Sequence, residues 1–256
     1  MNNQLVLSLI SGVFISGIAA YLGTLMLSRK MSVIAEPVAH LALPGAALAI
    51  IYGFDLFLGV FPFTILGALI IWLLERKTKL PIENLAAILF ASSIGVALLI
   101  LPIEEAEEAL VGNILNISFY ETIFVILISL IIFGIVFKIY NKTLLLNVSE
   151  DLAVVSEINI NFYNFLYLLS IALTVSIGVY LVGGLITAAL IAIPAAISKN
   201  LNKSLIQYKL FSIFFGTIIT IFGILLGQKF NLQPGPLIVI CGAFIFLISI
   251  IFKKSN

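Results

Sequence analysis

Hydrophobic runs of about 20 residues recur from one end of this chain to the other, with most of its charges in the gaps between them. A run of that length crosses the hydrocarbon of a bilayer as a helix. It leaves little other choice of fold, because without water every backbone N–H and C=O must be satisfied within its own segment. The runs are continuous rather than alternating in period two, which excludes a transmembrane barrel. Composition agrees. Hydrophobic residues make up 62% of the chain and charged residues 10%, against about 45–50% and about 25% in an average soluble domain. The chain reads as an integral membrane protein of the all-α class, a polytopic helical bundle.

Nine apolar segments can be drawn, at about 5–27, 32–52, 56–74, 84–102, 119–137, 163–182, 184–198, 208–228 and 235–252. The opening stretch has no basic n-region and its apolar run exceeds a signal-peptide core of about 7–15 residues, so it reads as a first span. The seventh segment is short, and Gly183-Gly184 leaves little room for a turn before it. It reads as a full crossing, a re-entrant helix or a continuation of the sixth, giving eight or nine transmembrane helices. No linker, low-complexity stretch or internal repeat divides the chain, so residues 1–256 form a single domain.

Charge distribution sets the orientation. With the N-terminus outside and nine crossings, Arg29, Lys30, Arg76, Lys77, Lys79, Lys138, Lys142, Lys199, Lys203, Lys209, Lys253 and Lys254 fall on one side and only Lys229 on the other. The positive-inside rule makes that side, and the C-terminus, cytoplasmic. Asp55, Glu104, Glu105, Glu107, Glu108 and Glu121 fall on or near the outer side. The run Glu104-Glu105-Ala106-Glu107-Glu108 reads either as a solvated spacer or as a weak attractor of cations. The net charge of +1 says nothing about partners, and no nucleic acid is expected among them. The single cysteine, Cys241, excludes an intramolecular disulfide.

Glu36-Pro37-Val38-Ala39-His40 interrupts the second segment with its only histidine and a carboxylate. A carboxylate at the centre of a membrane helix costs a few kcal/mol and usually faces a cavity or pathway. With the segment starting near Met31, Glu36 lies only about a turn and a half from the cytoplasmic end and reads also as a snorkelling side chain, with His40 near the midplane. Residues four apart share a helix face, so Glu36 and His40 point the same way as two ligands for one cation. Pro44 cannot donate to the His40 carbonyl, which predicts a kink and a freed carbonyl there; Pro37 does the same to Val33. Gly45 allows a close helix approach. Broken helices at membrane depth line cavities and mark binding sites. Oxygen with imidazole suits Zn²⁺, Mn²⁺ or Fe²⁺. Two ligands are too few for tight binding but suit transient passage, and a two-fold dimer would supply two of each.

Other readings of the pair remain. It also suits a proton relay in a self-contained, proton-coupled transporter. A membrane enzyme would need more ligands, or a nucleophile with its base. No phosphate-binding G-x-x-x-x-G-K-[ST] loop is present, so ATP-driven transport would need an ATPase on another chain. The longest polar cytoplasmic connection, about 138–161, contains Ser149, which can cap a short helix with acidic residues in its first turn. That helix reads as an ordinary capped loop helix or as a docking element for a soluble partner.

Five stretches in order resemble the permease subunits of bacterial ABC-type importers for zinc, manganese and iron. They are Met31-Ser32 through Glu36-Pro37-Val38-Ala39-His40-Leu41-Ala42-Leu43-Pro44-Gly45, then Glu107 to Leu115, then Ser149-Glu150-Asp151-Leu152-Ala153, then Val182-Gly183-Gly184-Leu185-Ile186 running to Ile193-Pro194-Ala195-Ala196, and Gly235-Pro236-Leu237-Ile238-Val239. The resemblance covers nearly the whole chain. It implies a multi-pass permease of the bacterial cytoplasmic membrane, paired with a second permease copy, a cytoplasmic ATP-binding subunit and an external metal-binding protein. It implies that Glu36 and His40 coordinate the transported Zn, Mn or Fe ion, with no cofactor held permanently. It also implies that Ser149, Glu150, Asp151, Leu152 and Ala153 couple to the ATPase, and that Gly183, Gly184 and Pro194 belong to a small-residue packing segment. The family usually has Asp where Glu36 stands, Ala or Thr where Pro37 stands, and often Gly where Glu157 stands.

Overall fold

The protein is described by a computed structural model covering residues 3–100, 112, 114–148, 155–156 and 158–253. All regular structure among these residues is helical. The order is α1 (Asn3–Ser28), a 3-10 turn (Ser32–Ile34), α2 (Ala35–His40), α3 (Leu43–Tyr52), α4 (Leu56–Thr78), α5 (Ile82–Ile100), a second 3-10 turn (Ile114–Asn116), α6 (Phe119–Val148), α7 (Ile160–Val182), α8 (Gly184–Leu201), α9 (Leu205–Phe230) and α10 (Pro234–Ile251). The acidic run 104–108 lies outside the described residues.

α1 packs against α6, α8 and α9 and forms the middle of the bundle with α7. α5 and α10 are the most exposed spans. With no hydrophobic drive between helices in lipid, close backbones and interhelical hydroxyl bonds hold the bundle together. Ser212 donates to the carbonyl of Ala20 at 2.8 Å, Ser11 to Thr122 Oγ1 at 3.2 Å, and Tyr140 pairs with Thr24 at 2.9 Å. Thr64 of α4 pairs with Ser176 of α7.

Contacts between helix ends fix the topology. Asn147 donates to the carbonyl of Ser28 at 2.9 Å, and the Trp72 indole to that of Asn161 at 3.1 Å. The first joins the ends of α1 and α6, and the second joins the later turns of α4 to the start of α7. At the opposite end, Gln4 donates to the carbonyl of Ile117 at 3.4 Å, and Tyr180 to the carboxylate of Glu121. Among the described residues, the Lys and Arg side chains lie toward the first of these ends, and Lys229, in the last turn of α9, is the exception.

The seventh apolar segment is a helix of its own that runs the length of the bundle. Among the described residues, eight segments are long and apolar enough to cross on those criteria alone, and α8 is shorter. Yet Gly235 faces Ile186, Gly242 faces Ile193, and Asn200 donates to Ser249 at 3.0 Å, pairs separated by 49 residues in each case. α8 and α10 therefore run parallel and in register from end to end. The turn before α8 is made by Gly183 alone, at φ +101°. Its N–H reaches the carbonyls of Gly178 and Val179, and its carbonyl accepts from Thr187 Oγ1 at 2.7 Å. α8 continues through Pro194, which is buried opposite Gly216.

The connection expected over 138–161 is shorter than its charges imply. α6 continues to Val148, and α7 begins at Ile160 behind Asn159, whose side chain accepts from the N–H of Phe162. Lys138 and Lys142 do not end α6, because Tyr140, Thr143 and Leu146 bury one face of its last turns. Lys142 lies instead over the ring of Tyr163, 5.1 Å from its centroid. Ser149, Glu150, Asp151, Leu152 and Ala153 lie outside the described residues.

Candidate functional site

The second segment is broken in two, and its prolines fall where a helix tolerates them. Pro37 is the third residue of α2, and Pro44 lies in the first turn of α3. N–H groups there have no intrahelical partner, so losing one costs little. Between them the chain tightens: Leu41 and Ala42 donate back three residues to the carbonyls of Val38 and Ala39, both at 3.2 Å. α2 is only six residues long, and Glu36 and His40 lie one turn apart on it. They stand about 6 and about 12 Å along the segment from Ser32, at 1.5 Å per residue.

Glu36 is exposed at the surface of the protomer, and His40 is half-buried. The imidazole Nδ1 lies 3.0 Å from the backbone carbonyl of Glu36. A carbonyl oxygen only accepts, so Nδ1 is the donor here; in the neutral imidazole that leaves the lone pair on Nε2, the arrangement a metal-ligating imidazole uses. Phe90 of α5 holds the other side of the ring edge-on, with centroids 4.8 Å apart at 82°. Within the described residues no group of three or more His, Cys, Asp or Glu side chains gathers.

The freed His40 carbonyl is not left beside the ring for a metal. Ser93 of α5 donates its hydroxyl to it at 3.0 Å. Ser93 and Phe90 are therefore the supporting residues that the sequence reading missed. The adjacent Ser92-Ser93 pair inside an apolar run was the available signal.

Just beyond, Gly45 meets Gly59 of α4 backbone to backbone. A Cβ on either glycine would stand 2.2 Å from the other's carbonyl oxygen. Gly67 makes similar room for the side chain of Leu41. The broken segment is thus pressed onto α4 by three glycines, while α2 also rests on α5, α7 and α8. Gly183 and Gly184 lie at the far end of the bundle, and Pro194 in the body of α8, so neither forms part of the Glu36–His40 group.

A second group sits at the cationic end. Arg29 donates from both terminal nitrogens to Asn164 Oδ1 at 3.3 Å and lies over the ring of Tyr167, 4.6 Å from its centroid. Asn164 donates onward to Glu75 at 3.2 Å. This joins the start of α7, just past residues 149–159, to the stretch that leads into α2.

The whole of this architecture has known counterparts. The chain is 27% identical over 254 residues to the high-affinity zinc uptake system membrane protein ZnuB of Haemophilus influenzae, covering 97% of each. It is 24% identical over 253 residues to the manganese transport system membrane protein MntC of Listeria monocytogenes, covering 97% of this chain and 90% of that protein. Its fold matches the solved structure of PsaBC from Streptococcus pneumoniae in complex with Fab, with a TM-score of 0.81 and 25% identity over 96% of this chain and 91% of that one. A family model described as the ABC 3 transport family matches residues 1–253, and the chain belongs to that family.

Proposed function

We propose that this chain is the membrane-embedded permease of an ATP-driven importer of divalent metal ions, and that Glu36 and His40 hold the ion in transit. It is a transport subunit, not an enzyme, in the bacterial cytoplasmic membrane. ATP hydrolysis belongs to a separate subunit, which sets aside a self-contained, proton-coupled mechanism. One observation carries the site: a carboxylate and an imidazole whose Nδ1 is engaged by a backbone carbonyl share one face of a six-residue helix within a membrane segment.

Glu36 is exposed on the isolated protomer about 6 Å into a membrane segment, where a charge facing lipid still carries a cost. A second permease copy across a two-fold axis removes that cost and doubles the ligand set to two carboxylates and two imidazoles. Oxygen and imidazole donors fit zinc, manganese and iron alike. Zinc and manganese are the metals in the names of the relatives, and either suits the pair. An external metal-binding protein delivers the ion. The cytoplasmic ATP-binding subunit engages Ser149 to Ala153 and drives the two permease copies between outward and inward states.

The test is metal accumulation, measured element by element, in cells expressing the transporter. The double substitution Glu36→Ala with His40→Ala should abolish uptake while the permease still assembles with its ATPase. Wild-type uptake by the double variant sinks the site assignment, and copurification that repeatedly yields no ATPase sinks the importer.

A further inference from the structure

At the end of the bundle opposite the lysines and arginines, a cavity of about 330 Å³ opens between α4, α6 and α7. Its mouth carries Asp55 and Phe57 from α4, Tyr120, Glu121 and Phe124 from α6, and Tyr180 from α7. Its deeper wall includes Val125 and Ile177, both buried. It is separate from Glu36 and His40, which lie on α2.

Both carboxylates are held in place. Asp55 caps α4, accepting from the N–H of Phe57 at 2.8 Å. Glu121 closes a capping box: it accepts from the N–H of Ser118 at 2.6 Å and returns its own N–H to the Ser118 hydroxyl at 3.3 Å. Its other oxygen accepts from the Tyr180 hydroxyl. Among the described residues, no Lys, Arg or His lines the cavity. Around the acids, Phe57 packs edge-on against Phe124 and Tyr180, with centroids 4.8 and 5.5 Å apart, and Tyr120 stands out at the rim, 83% exposed.

Two acids among aromatic rings form the surround that an organic ammonium prefers, since rings attract cations across their faces. The helix ends put these groups at headgroup level, where tyrosine is enriched, and the apolar wall continues toward the hydrocarbon. A bare metal ion would find two carboxylates and little else. An anionic headgroup would meet two like charges.

We propose that this cavity binds a phospholipid whose headgroup carries an ammonium, such as phosphatidylethanolamine. The ammonium sits between Asp55 and Glu121, and an acyl chain lies along Val125 and Ile177. The proposal requires only that the chain spans the membrane, and it stands apart from the metal site.

The test is native mass spectrometry of the intact permease–ATPase complex, titrated with phosphatidylethanolamine and with phosphatidylglycerol. One charge-assisted contact predicts about a tenfold preference for phosphatidylethanolamine. The double substitution Asp55→Asn with Glu121→Gln removes both charges yet keeps both caps, because Asn caps helices and Gln completes a capping box. It should erase the preference. Chain-free glycerophosphoethanolamine should compete at least about tenfold more weakly, since it leaves the apolar wall unused. Equal retention of the two lipids by the wild type overturns the proposal, as does a preference that survives the double substitution. So does full competition by the chain-free compound, or displacement of the lipid by Zn²⁺ or Mn²⁺ alone. If the double variant fails to assemble, the wild-type competition decides the matter.

Discussion

The hydroxyl of Ser93 on α5 caps the backbone carbonyl of His40 on α2, at 3.0 Å. Pro44 removes the donor that would serve this carbonyl in a continuous helix, and a different helix supplies the replacement. The break in the second segment is therefore stabilised from outside it, and the orientation of His40 depends on how α5 sits.

Ser93→Ala should weaken transport without touching either proposed ligand. It strands a carbonyl in a dry setting, at a cost of about 1–3 kcal/mol. Metal uptake per folded complex should fall several-fold, and Ser93→Thr, which keeps a hydroxyl, should restore most of it. Unchanged uptake in the alanine variant means that the contact does not position His40.

Gly45→Ala and Gly59→Ala should each cost far more than a methyl group normally does. Each new Cβ would lie 2.2 Å from a backbone oxygen that no rotamer change can move. Because α3 and α4 must separate, a sharp drop in detergent-stable protein is expected in size-exclusion profiles. By contrast Gly95→Ala, where nothing lies within 4 Å of the added carbon on the protomer, should leave the folded protomer intact.

Gly183→Ala should destabilise the turn between α7 and α8, because an L residue at φ +101° is strained by about 1–3 kcal/mol. The thermal midpoint of the purified protein should fall by several degrees. Gly184→Ala, inside the helix, should be much milder. Equal effects would show that the turn is not the constraint.

Asn164→Leu should separate ATP hydrolysis from transport. Asn164 joins Arg29 to Glu75 at the start of α7, beside the segment proposed to engage the ATPase. In proteoliposomes, uptake per ATP hydrolysed should fall several-fold while hydrolysis stays near wild type. A parallel loss of both activities points to a general folding defect instead.

Much of the fold was legible because lipid imposes a simple rule, long apolar runs become helices, and the lysines and arginines mark where those runs end. The rule misled where charge and helix part company. Lys138 and Lys142 suggested the end of a span, but Tyr140 and Leu146 on the buried face carry α6 on to Val148. Glu36 and His40 were legible as a pair because four-residue spacing is local. Ser93 and Phe90 were not, since which helix packs against α2 is decided by shape over long range. Pro44 announced a freed carbonyl, but only the neighbouring helix revealed that Ser93 fills the gap. The pairing of Gly45 with Gly59 was half visible: one glycine was noticed, and its counterpart looked like any other.

That pairing restricts how the molecule can move. Two backbones in direct contact, with no side chain between them, leave α3 no room to slide along or roll over α4. With Leu41 set into the space at Gly67, the break bearing Glu36 and His40 is keyed to α4 at successive turns. Access to the ion proposed to pass there must then alternate by tilting a whole slab of helices, since the second segment has no freedom to swing as a gate on its own.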